Sequence, residues 1–393
     1  MRKNNTIPQL YDIKDVKKFF SSSLKNIFSS NVKPQSKYSS GSIINVIRNS
    51  ISSREYIETY VRNSSCNSIP SADTVFRRIR DVASESGSHR RSGSENLKRH
   101  NIHDGIEYIS MLIDRTVQMT IANGAFSNPV NAAIDEHDEP YYGIDNRYLI
   151  NAPFHRFRGT DKAYRFATLE SVKNGGRLTL SIMKKEQLDG VDNANEVDYL
   201  LKHAMSLGIK INMVLMDRGY LDAGVIRRVE SLKLKYIIPA RDNPKVLKYK
   251  KMEMKYYNGI QFLVINDKIS SGKESVETNF VHIVYYPDRK RHDFSFYTNI
   301  NVDEDNAREL AEIYRERWSI ENGYLEKKDV KGKTHSPDIG VRYFLFFLSV
   351  LLYNMWVLFN LIRRMANYGW ITLMDFIIAM GRGKWNIIMN DNG

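Results

Sequence analysis

Residues 314–328 read YRERWSIENGYLEKK, and the spacing inside this stretch decides how the rest of the chain is read. Tyr314, Arg317, Glu321 and Lys328 follow the pattern Tyr-x2-Arg-x3-Glu-x6-Lys. On a helix advancing about 100° per residue, the last three lie roughly −60°, −20° and −40° from Tyr314, so all four share one narrow face. Ala307, Leu310, Ala311, Trp318 and Leu325 fall within about 60° of the same line, which makes it the apolar face. A carboxylate and two cations in a core-facing stripe are costly unless something pairs with them. A metal ion and a phosphate are suitable partners.

The rest of the chain fits a phosphate-rich partner. It has 393 residues, 42% of them hydrophobic, with a net charge of +13 and a pI near 9.4. Residues 1–100 carry 18 Lys/Arg against 8 Asp/Glu, a surplus of ten. That asymmetry points to a polyanion, nucleic acid or an anionic membrane; a merely solvated surface is the alternative. The single cysteine, Cys66, excludes an internal disulfide framework and a Cys-based zinc cluster. A reducing cytoplasm fits, and MRKNNTIPQLYDIKDVKKFF shows no apolar signal core. Residues 343–362 are 20 positions without a charge, long enough to span a bilayer. Ser349 and Asn354 interrupt them, so a helix buried in a large domain is preferred over a membrane span.

Residues 1–83 read as basic and helical, and 84–103, SESGSHRRSGSENLKRHNIH, as a linker or exposed arm. Within the first region, Ser71 or Asp73 can cap a helix whose apolar side is Val75, Phe76 and Ile79. Arg77, Arg78 and Arg80 project elsewhere, as on the recognition helix of a helix-turn-helix or on any surface helix. A further helix is expected over 104–123. The period then changes. VNAAID (130–135), AYRFATLESV (163–172) and RLTLSIMKK (177–185) read as strands, the last two joined by the hairpin signal Asn174-Gly175. A helix (193–207), a strand (211–217), a helix (221–233) and a strand (235–240) follow. Residues 242–300 look β-rich, including LKYKKMEMKYY (247–257), before a long helix begins near Asp303. This order predicts an α/β fold, a mixed sheet flanked by helices.

Asp135 and Asp217 end apolar strands, and Glu321 lies mid-helix. Acids at the carboxyl ends of neighbouring strands converge where α/β sheets bind ligands. Three carboxylates without His or Cys suit Mg²⁺ or Mn²⁺, and two such ions support in-line phosphoryl displacement. Taken singly, each acid reads as an ordinary loop-end or surface residue; the joint pattern favours a site. Glu136 and Asp138 are spare acids beside Asp135, and His137 reads as a supporting or surface residue. Arg218, Tyr220, Trp318 and Tyr324 stand close to the acids in sequence, where an aromatic can stack on a base or sit in the core. The chain contains no P-loop, H-E-x-x-H or G-x-S-x-G motif.

With IDEHDEPYYG (134–143), MDRGY (216–220), TNI (298–300) and all four positions of the 314–328 pattern in order, the chain resembles DDE transposases of insertion sequences in the branch with a Tyr-Arg-Glu-Lys signature. The resemblance covers about residues 130–365. It implies an RNase H-like catalytic domain with a β-rich insertion before the last catalytic helix. It implies catalysis and metal binding by Asp135, Asp217 and Glu321, with two Mg²⁺ or Mn²⁺ ions, and DNA phosphates held by Tyr314, Arg317 and Lys328. The segments expected are a basic helical DNA-binding region (1–103, with Arg77, Arg78 and Arg80), two parts of the catalytic domain (104–241 and 301–370), the insertion (242–300) and a tail (371–393). The partners expected are terminal inverted repeats and target DNA, bound by a homodimer in the cytoplasm at the nucleoid, with no membrane. An RNase H-like nuclease without strand transfer and a domesticated DNA-binding protein are the alternatives.

Overall fold

The computed structural model describes residues 19, 22–28, 37–64, 68–83, 105–124, 126, 129–145, 148–152, 157–172, 177–185, 192–286, 290–316, 325–365 and 367–382. The chain divides into two compact units, one made of 126–322 and the other of 1–125 with 323–393. The expected segments 104–241 and 301–370 each run across one of these divisions.

Apolar runs build the sheet unit from its centre. Strand β1 (Val130–Pro140) is followed by β2 (Ile150–Asn151), β3 (Lys162–Val172), β4 (Thr179–Lys185), β5 (Ile211–Leu215) and β6 (Lys235–Pro239). β3 lies antiparallel to β1 and carries β4 on its other side, while β5 is parallel to β1 and β6 parallel to β5. Ala132, Ala133 and Ile134 on β1, Val214 and Leu215 on β5, and Tyr236, Ile237 and Ile238 on β6 are wholly buried. Unbroken apolar runs of this kind mark strands covered on both faces. Helices α5 (Asn193–Ser206) and α6 (Ala223–Ser231) provide the crossovers that parallel pairing requires. Each begins on an aspartate, Asp192 or Asp222, whose side chain accepts from the first-turn backbone.

The expected strand over 247–257 is corrected. Residues Pro244–Tyr249 form a short helix, α7, and strand β7 is confined to Lys255–Tyr257. The local start signal wins: Asn243 accepts from the Val246 amide, and Pro244 opens the first turn. Strands β8 (Ile260–Ser271), β9 (Glu274–Tyr285) and β10 (His292–Thr298) follow. β10 pairs with β6 through Phe296–Pro239 and Tyr297–Ile238, so the β-rich region continues the same sheet. The sheet has ten strands in the order β2-β3-β1-β5-β6-β10-β9-β8-β7, with β4 on β3. Asp267 of β8, accepting from the Tyr297 hydroxyl at 3.0 Å and paired with Lys245, anchors α7, whose Val246 packs with Phe280 and Tyr297. Helix α8 (Ala307–Glu316) then buries Ala307, Leu310, Ala311 and Ile313 and leaves Tyr314 half-buried, the apolar stripe read from the spacing.

The other unit is helical among the described residues. Unlabelled helical stretches at 22–28 and 325–329 accompany α1 (Ser40–Ser52), α2 (Ile57–Asn63), α3 (Ala72–Ala83), α4 (Gly105–Ala122), α9 (Ile339–Met365) and α10 (Leu373–Arg382) from the numbered elements of the chain. Helix α9 is long and apolar enough to cross a membrane, but its most apolar window is entirely buried by the protein, with α3 and α4 packed along it. Its polar interruptions are satisfied. Asn354 donates to Thr116 of α4 at 3.3 Å, and Asn360 accepts from the Ile371 amide at 2.9 Å while donating to the Ile371 carbonyl at 3.2 Å. Replacing Asn360 by Leu strands the Ile371 amide, a loss of roughly 1–3 kcal/mol, while the Ile371 carbonyl keeps the Trp356 indole N–H at 3.0 Å. The expected result is a stability loss of about 2 kcal/mol, read from the chemical denaturation midpoint; an unchanged midpoint would show that Ile371 finds other partners.

The face expected for Leu325 and Lys328 is also corrected. Leu325 is 59% exposed and Lys328 is exposed, whereas Lys327 is only 2% exposed. The Lys327 ammonium lies 5.1 Å from the centre of the Tyr353 ring on α9. A ring face stabilises a desolvated cation, so Lys327, rather than Leu325, points inward here.

Candidate active site

Strand β1 does not end at Asp135 as expected but runs on to Pro140, because β3 accompanies it antiparallel as far as the Pro140–Ala163 pair. The parallel ladder on its other edge does stop early, at Ala133–Leu215. Asp135 lies two residues beyond Ala133 on β1, and Asp217 lies two residues beyond Leu215, the last residue of β5. Both therefore stand at the carboxyl edge of the parallel strands. Both are half-buried. Asp135 accepts from the Glu136 amide at 3.0 Å, and Asp217 accepts from the Arg218 amide as it caps the turn Arg218–Tyr220.

Glu136 and Asp138 point to the opposite face of β1 from Asp135 and are committed there. Arg165 of β3, directly across from Asp138, grips it with two bonds of 2.6 and 2.9 Å and reaches Glu136 at 2.9 Å. Paired bonds between a guanidinium and a carboxylate are the strong kind. This arrangement removes Asp138 as a rival to Asp135. His137 is buried against Glu139 at 2.8 Å.

Lys185, at the end of β4, lies 2.6 Å from Glu136 and 2.8 Å from Glu196, and donates to Asn193 at 2.9 Å. Glu196, in the first turn of α5, has no exposed surface. Its other oxygen accepts from the Tyr220 hydroxyl. Burial and the Glu136 charge push the Glu196 carboxyl above its usual pKa, against the pull of Lys185 and Tyr220. Burial disfavours the charge on Lys185, but Glu196 and Glu136 outweigh it and raise its pKa. Burial and the nearby charges of Glu196, Glu136 and Asp135 push the Tyr220 phenol far above its usual value, so it remains a donor. Tyr220 is 3% exposed and belongs to the core, where no base can stack on it.

Among these supporting residues, Arg165, Lys185 and Glu196 escaped the reading of the sequence. Glu196 looked like an acid favoured at any helix start. A signal was present in Arg165, a cation inside a strand buried along most of its length, which calls for an acid on its neighbour.

Of the other expected site residues, Arg317 and Glu321 lie outside the described residues, as do Trp318 and Tyr324. Tyr314 is in the sheet unit and Lys328 in the helical one. On α3, Arg77 and Arg80 are exposed and Arg78 is half-buried; Arg80 is 4.0 Å from Asp338. Among the described residues no group of three or more His, Cys, Asp and Glu is arranged to hold a metal ion. As oxygen donors, the carboxylates of Asp135 and Asp217 fit the hard, oxygen-seeking character of Mg²⁺ or Mn²⁺.

No curated protein sequence is significantly similar to the chain. A solved structure that is similar over most of it is the cryo-EM structure of the piggyBac transposase synaptic complex with hairpin DNA. The TM-score is 0.60 at 11% identity, covering 95% of this chain and 80% of that one. That likeness shows an RNase H-like fold. Residues 186–355 match the family model described as the transposase DDE domain, and this match, on that fold, supports a DDE transposase.

Proposed function

We propose that the protein is a DNA transposase of the Tyr-Arg-Glu-Lys branch, which binds the ends of an insertion sequence, cleaves them and joins the 3′ ends to target DNA. What supports the reading is that Asp135 and Asp217 each stand two residues past the last pair of the β1–β5 ladder, Ala133–Leu215, in a chain that matches the transposase DDE domain over residues 186–355.

Asp135 and Asp217, with Glu321 as the third acid, are the residues that would hold two divalent ions. When bound, such ions lower the pKa of an attacking water or hydroxyl and neutralise the leaving oxygen. The chain's own groups set the stage. Asp135 would supply anionic oxygens from β1 and Asp217 from the turn after β5, and each keeps one oxygen oriented by a backbone amide. In this proposal Tyr314, Arg317 and Lys328 hold phosphates near the cut end, Arg being suited to bidentate contact and Lys to a point-charge contact. Arg77, Arg78 and Arg80 of α3 contact the terminal repeats. Handling two ends together calls for a homodimer on DNA.

A labelled element end incubated with target DNA and Mg²⁺ is expected to give a joined product as well as a cut one. Cutting without joining would instead indicate a nuclease, and a gel shift without any metal-dependent cutting would indicate a DNA-binding protein that lacks the activity.

A further inference from the structure

The loop that carries Asp217 is tied to the strand that carries Asp135 through buried groups with no place in the chemistry proposed above. Glu136 follows Asp135 on β1, and Tyr220 closes the turn that begins after Asp217. Between them runs an unbroken chain of contacts. Glu136 meets Lys185 at 2.6 Å, Lys185 meets Glu196 at 2.8 Å, and Glu196 accepts from the Tyr220 hydroxyl. A second branch runs from Lys185 to Asn193 at 2.9 Å and from Asn193 to the Gly219 carbonyl at 3.3 Å. Arg241 holds the same turn from β6's side, donating to the Arg218 carbonyl at 3.1 Å.

Neighbouring strands alone do not fix this turn. The β1–β5 ladder has ended by Leu215 and β6 holds the chain only as far as Met216, whose amide donates to the Ile237 carbonyl at 3.1 Å, so beyond that point Asp217 depends on what grips residues 218–220. A charged pair buried under a helix is a costly way to fill a core. Here it joins the two acid-bearing segments from behind, as partners of metal ligands do elsewhere.

We infer that Tyr220, through Glu196 and Lys185, is a positioning residue that holds the Asp217 carboxylate at the spacing from Asp135 needed to share a divalent cation. This inference rests on the proposed role of the two aspartates. Tyr220→Phe keeps the buried ring and the Lys185–Glu196 pair and removes only the bond between the hydroxyl and Glu196.

The test is Mn²⁺ binding to the full chain, followed by electron paramagnetic resonance, beside thermal melting. The expected result is a half-saturating Mn²⁺ concentration raised by about tenfold in a variant that still melts cooperatively. Asn193→Ala, which cuts the branch from Lys185 to the Gly219 carbonyl and leaves that carbonyl only Arg241 at 3.5 Å, is expected to shift it the same way and carries the test if Tyr220→Phe does not fold. Wild-type Mn²⁺ binding in a folded variant, even with a lower melting temperature, would overturn the inference and leave the network a purely structural one. Asp217→Asn separates this result from failure of the underlying reading. If it weakens Mn²⁺ binding while Tyr220→Phe does not, only the positioning role falls; if it leaves binding intact, the metal site and this inference fall together.

Discussion

Asp217→Asn is expected to abolish end cleavage, lowering its rate on the order of a thousandfold or more, in a protein that folds as the parent does. The substitution is nearly isosteric. The amide oxygen of Asn can still accept from the Arg218 amide, so the turn Arg218–Tyr220 keeps its cap. What disappears is the negative charge beside Asp135. An uncharged oxygen holds a hard divalent cation poorly, and several kcal/mol of transition-state stabilisation go with it. Asp135→Asn should be equally severe, and the double variant no worse than either alone, because ligands of one ion act as a unit. Single-turnover cleavage of a labelled element end, with circular dichroism as the control for folding, measures the effect. Cleavage within a factor of a few of the parent's would remove Asp217 from the mechanism.

Lys185→Met is expected to produce the largest loss of stability. Glu196 has no exposed surface and Lys185 is 15% exposed on its side chain. Methionine fills much of the lysine's volume but leaves Glu196 facing Glu136 without the cation between them. Breaking a buried pair in this way costs about 3–5 kcal/mol, read from the denaturation midpoint in urea. The loss should depend on pH in a particular direction. Burial first, and then the charge of Glu136, already raise the Glu196 carboxyl above its usual pKa in the parent, and removing Lys185 raises it further. The folded variant therefore binds a proton more tightly than the unfolded chain does. Its stability falls as pH rises from the carboxyl's unfolded value through its raised folded value. Compared with the parent at each pH, the deficit should be greatest near neutrality and shrink in mild acid. A deficit independent of pH would assign the effect to packing alone.

Much of the sheet was legible in the sequence because its signals are local. The apolar runs at 130–135, 211–217 and 235–240 and the charge-free stretch at 343–362 each mark a buried element, and burial on both faces leaves little room for another reading. Asp135 and Asp217 stood out because each closes an apolar run. The longer course of β1 did not stand out, since Glu136 to Pro140 are held in the strand by Arg165 and its neighbours on β3, which are remote in sequence. At 244–249 a capping Asn and a Pro overrode an alternation that resembled a strand. The network behind the aspartates was hidden for the same reason as the β1 extension. Lys185, Glu196 and Tyr220 come from three different elements, and no spacing links them.

The central claim is that Asp135 and Asp217 jointly bind a divalent cation. The most direct measurement is anomalous scattering from crystals of the protein grown with Mn²⁺. The account predicts a manganese peak within bonding distance of a carboxylate oxygen from each of the two residues, lost in the Asp217→Asn variant. A fully occupied manganese coordinated by neither residue, with both carboxylates ordered and turned away from each other, would contradict it.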